Sequence, residues 1–391
     1  MTDQLAAKQH WLRNVRRAVV KIGSSILSNQ NGIDESRLSG LVHDICTLHR
    51  QGIAIVVVTS GAVAAGMARL GRRQRPKSIP ERQAAAAVGQ IDLMALYKKY
   101  AAEHGVQVAQ ILLTHDDLAS RHRYLNARHT LEELFRAHVL PVANENDTVV
   151  TEELRNFGDN DNLSALIAGL VEADLLVLLS DVEGVCTSNP RRDPSARLVE
   201  LIAHPRRMAG IQVEGHSPLG TGGMASKLAA ARKAAHAGIP TVIASGLVPG
   251  TLLRVFDVHA RVGTLVLPRA DRLQRRKHWI AYTLRPAGTI TVDRGAFEAV
   301  VFRGRSLLPS GIRAVEGKFE AGDCVRCVTE TGEEFARGLV NYTSSELEKI
   351  RGLHSQHIER VLGYRSTDEA IHRNDLVLTG DFSQGAASAG S

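Results

Sequence analysis

The chain has 391 residues, 44% of them apolar and 23% charged, with a net charge of +7. These values exclude wholesale disorder and leave room for two or three domains. No run reaches the ~18 uninterrupted apolar residues of a spanning helix, the N-terminal MTDQLAAKQHWLRNVRR lacks the apolar core of a secretory signal, and four cysteines are too few for a disulfide framework. A protein of the reducing cytoplasm is therefore expected, with anionic ligands or nucleic acid as candidate partners for its positive charge.

Residues 1–16 read as an extension with no evident role. From Arg17 onward, apolar runs alternate with helix-length segments. The runs are Arg17–Ile22, Ile53–Thr59, Val106–Leu113, Val139–Ala143, Asp174–Ser180 and Thr241–Ala244. The helical patterns between them are Glu35–Gln51, Ala62–Leu70, Glu81–Glu103, Asn126–Ala137, Asn162–Val171 and Ala225–Ala237. Nearly continuous apolar strands between helices predict an α/β fold, with a mostly parallel central sheet sandwiched by helices. Ligands of such sheets sit at the carboxyl ends of the strands, so the residues following each run are the first candidates for chemistry.

The first run ends in Lys21-Ile22-Gly23-Ser24-Ser25, a lysine leaving a buried strand beside a glycine and two hydroxyls. That combination suits a phosphate, although a solvated lysine at a strand end has the same sequence, and no Walker A loop is present. The second run leads into Thr59-Ser60-Gly61-Ala62. This turn offers a hydroxyl and helix N-terminal amides to an anion, or else a simple N-cap. It lacks the Gly-x-Ser-x-Gly of a nucleophile elbow. Two polar clusters follow, Asn144-Glu145-Asn146-Asp147 and Gly158-Asp159-Asn160-Asp161-Asn162. They can bind an ammonium group, orient lysines or hold a metal, and Asx residues also favour turns and caps. Ser180 and Asp181 open a loop positioned to meet a nucleotide. The stretch Gly220-Thr221-Gly222-Gly223-Met224-Ala225-Ser226-Lys227 puts several amides and a lysine at a helix start, as a polyphosphate requires.

The pattern changes after Leu267. A basic connector (Arg269, Arg272, Arg275, Arg276, Lys277) precedes short strands expected at Gly288–Val292, Ala299–Phe302, Cys324–Thr329 and Glu334–Leu339, with a helix at Ser344–Ile350. The tail from Gly380 is rich in Gly, Ala and Ser and reads as disordered. Cys324-Val325-Arg326-Cys327 has zinc-knuckle spacing but no second pair, and residues three apart on a strand face opposite sides, so no metal site is expected.

In this order, VVKIGSS, VVTSGAVAAG, PVANENDTV, GDNDNLSA, LLSDVEG, LGTGGMASK, the Ala87–Gln90 and Leu125–Arg128 stretches and Ser306–Ile312 resemble the amino acid kinase family. The resemblance is strongest to members that act on L-glutamate, and it runs from about Arg17 to about Arg373. The C-terminal part resembles a PUA domain, a small β-rich module known from RNA-modifying enzymes. The implied organisation is an extension (1–16), a kinase domain (17–268), a linker (269–284), a PUA domain (285–366) and a partly disordered tail (367–391). The implied reaction is ATP-dependent phosphorylation of the side-chain carboxylate of L-glutamate to L-glutamyl 5-phosphate, the first step of proline biosynthesis.

By the same resemblance, Lys21 and Lys227 contact the ATP phosphates and Asp161 holds both lysines. Ser60, Asp147 and Asn160 bind glutamate, with Asp159 close by. Ser180, Asp181, Thr221, Gly222, Gly223, Met224, Ala225, Ser226 and Lys227 line the ATP site. Mg²⁺ is carried by ATP rather than by a protein cage. Feedback inhibition by proline, channelling to glutamyl phosphate reductase and a homo-tetramer are expected, with no membrane association. Cys186 stands where relatives often carry an aromatic residue. Counting Ala287–Arg365 gives 11 basic and 11 acidic residues, so RNA binding by this part is not expected. Two other readings remain: a kinase of the same fold acting on aspartate, N-acetylglutamate, carbamate or a nucleotide, and an RNA-binding protein led by its C-terminal domain.

Overall fold

The computed structural model describes residues 4–29, 32–72, 74, 76, 78–149, 160–190, 192–203, 223–268, 280, 284–365 and 367–379. The chain divides into two units, Met1–Arg272 and Leu273–Ser391.

The first unit opens with α1 (Gln4–Leu12), β1 (Arg17–Ile22), α2 (Ser24–Leu27), the small hairpin β2 (Ser28–Asn29) and β3 (Gly32–Ile33), and α3 (Glu35–Arg50). It continues through β4 (Ala54–Thr59), α4 (Ala62–Arg69), α5 (Ile79–Ala102), β5 (Val108–Leu113), α6 (His115–Ala119), α7 (Arg121–Arg136) and β6 (Leu140–Glu145). The remaining elements are α8 (Asn160–Leu170), β7 (Leu175–Ser180), β8 (Leu201–Ile202), α9 (Met224–His236), β9 (Thr241–Ser245), α10 (Thr251–Phe256) and β10 (Thr264–Val266). Eight strands form one sheet in the order β5-β6-β4-β1-β7-β9-β10-β8, parallel throughout except where β10 runs antiparallel to β9.

Strand parity sorts the sheet's side chains onto two faces. Val20, Ile22, Ile55, Val57, Leu175, Val177 and Leu179 enter one core with residues of α3, α5 and α10. Val19, Val56, Val58, Leu176 and Leu178 enter a second core with residues of α8 and α9. Both faces are covered, which is why the strands read as unbroken apolar runs. The same parity aims Lys21, two residues from Val19, at the face covered by α8 and α9.

Helix α4 follows Gly61, whose φ of 112° suits a residue without Cβ. It then packs backbone to backbone against α5. A Cβ on Gly66 would lie 1.8 Å from the Ala85 carbonyl oxygen, and one on Gly89 would lie 1.9 Å from that of Ala62. Only glycine at both positions permits this approach, and the next residue of α5, Gln90, meets Asn144 near the end of β6 at 2.9 Å.

The N-terminal extension is part of this unit. Ala7 and Leu12 of α1 join the first core. Gln4 donates to the carbonyls of Glu200 and Gly263 and accepts from the Val262 amide. The Lys8 ammonium, 1% exposed, donates to the carbonyls of Arg254 (3.0 Å), Asp257 (2.7 Å) and Ala260 (2.7 Å) at the end of α10. Burial pulls Lys8 down to about 8, with Asp257 opposing.

The second unit is a five-stranded sheet in the order β12-β11-β13-β14-β15, formed by β11 (Gly288–Val292), β12 (Ile312–Gly317), β13 (Cys324–Val328), β14 (Glu334–Leu339) and β15 (Leu376–Leu378). Only the β11–β13 pairing is parallel. Its own core includes Ile290, Val325, Phe335, Tyr342 and Leu347.

Three readings from the sequence need correction here. The strand expected at Ala299–Phe302 is helix Arg294–Val301, because the Asp293 side chain caps it by accepting from the Ala296 amide at 2.8 Å. The sheet's last strand, β15, lies in the stretch assigned to the tail, and β12 was not foreseen. Cys324 and Cys327 are both buried, but only Cys327 joins the core of this sheet, and no metal-binding cluster is found among the described residues. The tail from Gly380 and the basic connector lie outside the described residues.

Replacing Lys8 with Met leaves three half-buried carbonyls without their donor. This should lower the unfolding free energy by about 2 kcal/mol, read as a lower urea midpoint. An unchanged midpoint would mean that the extension adds nothing to stability.

Candidate active site

Strands β6, β4, β1 and β7 are sheet neighbours, and because they are parallel their carboxyl ends meet along one edge. There, Lys21 of β1 meets Asp161 in the first turn of α8 and Lys227 in the first turns of α9. The Lys21 Nζ lies 2.6 Å from Asp161 Oδ1 and the Lys227 Nζ lies 3.1 Å from Asp161 Oδ2. All three are buried, at 6%, 1% and 6% exposure. Burial alone would raise the Asp161 carboxyl, but the two ammonium groups outweigh it and hold Asp161 below the ordinary carboxylate range. Its stabilising effect is present above the unfolded value of about 3.9 and is lost as pH falls through the lower folded value. Two positive charges and one negative leave this buried spot one positive charge in excess, so it favours an anion.

One residue earlier, Asn160 begins a second cluster. Its Nδ2 lies within hydrogen-bonding distance of the Thr59 carbonyl (3.0 Å), Ser60 Oγ (2.9 Å) and Asn144 Oδ1 (3.1 Å). Asn144 Nδ2 in turn donates to Gln90 Oε1 at 2.9 Å. The Thr59 hydroxyl is held from the opposite face by Tyr97 Oη at 2.8 Å, both groups being buried. Asp147 follows β6, and burial pushes its carboxyl up to about 6 against the opposing pull of Arg82.

At the end of β7, the Ser180 hydroxyl donates to Asp181 Oδ1 at 3.2 Å. Gly223 precedes α9, and Met224, Ala225 and Ser226 form its first turn. Cys186 is half-buried in an isolated bridge with Leu198, and burial pushes its thiol up.

The structure thus joins Lys21, Asp161 and Lys227 directly, and it joins Ser60 to Asn160. It does not link Asp147 or Asp181 to either group through the contacts described above. Asp159, Thr221 and Gly222 lie outside the described residues. Asn144 was visible only as one member of a polar cluster. Gln90 was visible only as the last residue of the Ala87–Gln90 stretch that carries part of the family resemblance, with no role assigned to it, and its neighbour Gly89 makes the close backbone contact with α4.

A mostly parallel α/β sheet, with a lysine pair bridged by one carboxylate at its carboxyl edge, is the framework of an enzyme that handles anionic groups. The sequence matches the amino acid kinase family over residues 16–245 and the PUA domain over residues 288–362. It is similar to a glutamate 5-kinase from Geobacter sp. (strain M21), 50% identical over 373 residues, covering 95% of this chain and 100% of that one. It is also similar to one from Trichlorobacter lovleyi, 51% identical over 372 residues, covering 94% and 98%. A UMP kinase from Bacillus anthracis of solved structure is 18% identical, with 66% of this chain and 98% of that one covered and a TM-score of 0.45. The chain belongs to the amino acid kinase family and is a kinase.

Changing Asp161 to Asn would leave two buried ammonium groups without their counter-charge. The variant should lose about 3 kcal/mol of stability in urea unfolding at neutral pH, and inorganic phosphate should restore more of its stability than it adds to the unaltered protein. Equal midpoints without phosphate would refute the electrostatic account of this cluster.

Proposed function

We infer that the protein transfers the γ-phosphoryl group of ATP to the side-chain carboxylate of L-glutamate, giving L-glutamyl 5-phosphate and ADP, the first step of proline biosynthesis from glutamate. The observation that carries this reading is the buried Lys21–Asp161–Lys227 bridge, contiguous in sequence with the Asn160–Ser60 hydrogen bond. Its support from comparison is the near-complete match to the relatives named above.

The acceptor carboxylate has an ordinary pKa near 4.3 and is ionised at neutral pH, so no general base is needed. A carboxylate oxygen forms the new P–O bond while the bond between the γ-phosphorus and its bridging oxygen breaks, and ADP leaves with that bond's electron pair. Lys21 and Lys227 neutralise charge spread over the transferring phosphoryl oxygens, already held in place by Asp161 before substrate arrives. Ser60, Asp147 and Asn160, with Asp159, hold glutamate. Ser180, Asp181 and the segment Thr221–Lys227 line the ATP site.

Both Asp161 oxygens face ammonium groups, so this carboxylate is not available to Mg²⁺. Mg²⁺ carried by ATP would supply further charge neutralisation at the phosphoryl oxygens.

Proline, which shares the α-carboxylate and a cationic nitrogen with glutamate, acts as feedback inhibitor at the glutamate site. The protein works in the cytoplasm as a homo-tetramer and passes its unstable acyl phosphate to glutamyl phosphate reductase. No helix among the described residues is long and apolar enough to cross a membrane. The balanced charge of Ala287–Arg365 favours a structural or regulatory PUA domain over an RNA-binding one.

Purified protein with ATP, Mg²⁺, L-glutamate and hydroxylamine should yield γ-glutamyl hydroxamate in step with ADP. Faster turnover of aspartate, N-acetylglutamate, carbamate or a nucleotide than of L-glutamate would overturn the substrate assignment. A second expectation concerns Asp147. Its carboxyl, near 6, binds the substrate ammonium only when ionised. The KM for L-glutamate should therefore fall as pH rises through about 6, and Asp147→Asn should flatten that dependence. A KM that is level across this range in the unaltered protein would remove Asp147 from the site.

A further inference from the structure

The amide network that starts at Asn160 is complete in its middle and open at both ends. Asn144, 1% exposed, has its polar atoms engaged: Oδ1 accepts from the Asn160 side chain at 3.1 Å and from the Glu145 amide at 2.9 Å, and Nδ2 donates to Gln90 Oε1 at 2.9 Å. Asn160, 5% exposed, spends its Nδ2 on Thr59, Ser60 and Asn144, and its Oδ1 is buried without a hydrogen-bond partner. At the other end, Gln90 gives its Oε1 to Asn144, and its Nε2 is buried without a partner.

Buried polar atoms are ordinarily paired, so each exception calls for an explanation. Here the exceptions are one acceptor and one donor, at the two ends of a single network. Their orientations are fixed by the bonds their sister atoms make. An α-amino acid presents the complementary pair, an ammonium and a carboxylate. Asn160 adjoins Asp161, which holds the two lysines, so the Asn160 end lies toward the phosphoryl group. Gln90 lies two hydrogen bonds farther along and faces the end of the substrate away from the reacting carboxylate.

We propose that Gln90 is a substrate-binding residue, its Nε2 donating to the α-carboxylate of the amino-acid substrate while Asn160 Oδ1 accepts from the α-ammonium. This rests on the reading of the site as an amino-acid kinase's, and it adds the group that reads the substrate's α-carboxylate. The three N–H bonds of the ammonium leave room for Asp147 as well. Gln90 lies on α5, and the Gly66–Gly89 backbone contact beside it sets how closely that helix approaches α4.

The test is Gln90→Glu in the full-length chain. This change keeps an oxygen opposite Asn144 Nδ2 and exchanges only the amide nitrogen for a second oxygen. L-Glutamate and L-isoglutamine, its α-carboxamide, are titrated by thermal shift against both proteins, and the KM for ATP is measured alongside. The variant should bind L-glutamate roughly tenfold to a hundredfold more weakly, with the KM for ATP within about twofold. Its preference should move toward L-isoglutamine, whose α-carboxamide can donate to the new carboxylate. If Gln90 serves only to hold Asn144, or if a water occupies Nε2, the ratio of the two affinities stays where it was, and the proposal is overturned. Other L-amino acids are included in the titration because all share the α-groups. Binding of a different amino acid in place of L-glutamate would overturn the substrate assignment while still testing Gln90. Binding of none would overturn the proposal itself.

Discussion

The site depends first on the carboxylate of Asp161 lying between two buried lysines. An ammonium group cannot be desolvated to 6% exposure without a counter-charge or a full set of acceptors. Each lysine here borrows half of one carboxylate. The arrangement still carries a surplus positive charge. It also explains the sheet's register requirement: Lys21 reaches Asp161 only because β1 sets it on the same face as Val19, under α8 and α9. A one-residue slip of β1 would turn Lys21 into the opposite core and Ile22 into the site.

The second constraint is the start of α8. Asn160 and Asp161 are consecutive, so their side chains leave the helix about 100° apart. One enters the amide cluster of Thr59, Ser60 and Asn144, and the other enters the lysine bridge. One helical turn therefore fixes the spacing between an amide-lined region and a cationic one. The glycine pair Gly66 and Gly89 fixes the remaining wall, since it sets how closely α5 approaches the β4–α4 turn.

Much of this was legible in the sequence. Strands buried on both faces leave continuous apolar runs, and a lone lysine inside one, at Lys21, stands out against Val19, Val20 and Ile22. What local pattern cannot carry is pairing across the fold: Lys227 and Asp161 are 66 positions apart, and only the family resemblance linked them beforehand. Gln90 stood inside a stretch that resembles the family, yet its contact could not be read, for a different reason. It interrupts an Ala-rich helix as an ordinary polar residue would, and only the packing of α4 on α5 turns it inward. The α1 segment misleads further. Gln4 and Lys8 are a helical turn apart, and polarity predicts a solvated stripe, yet both are 1% exposed because backbone carbonyls surround them. The Ala299–Phe302 error has the same root, since AFEAVVF is rich in strand formers while one capping bond from Asp293 decides for helix.

The division of labour in the site also accounts for what it lacks. Attack by a carboxylate that is ionised at neutral pH needs no proton removed, so none of the residues gathered at the carboxyl edge has to be a base poised near neutrality. What the reaction needs is charge placed before substrate arrives, because donors that reorganise during transfer contribute less than donors already fixed. The Asp161 bridge supplies that: both ammonium groups are oriented by a carboxylate whose own ionisation they secure. An isolated lysine on a loop would carry the same formal charge, but it would be hydrated and would have to shed that water before meeting the phosphoryl oxygens. The buried bridge has shed it during folding, at the expense of stability rather than of rate.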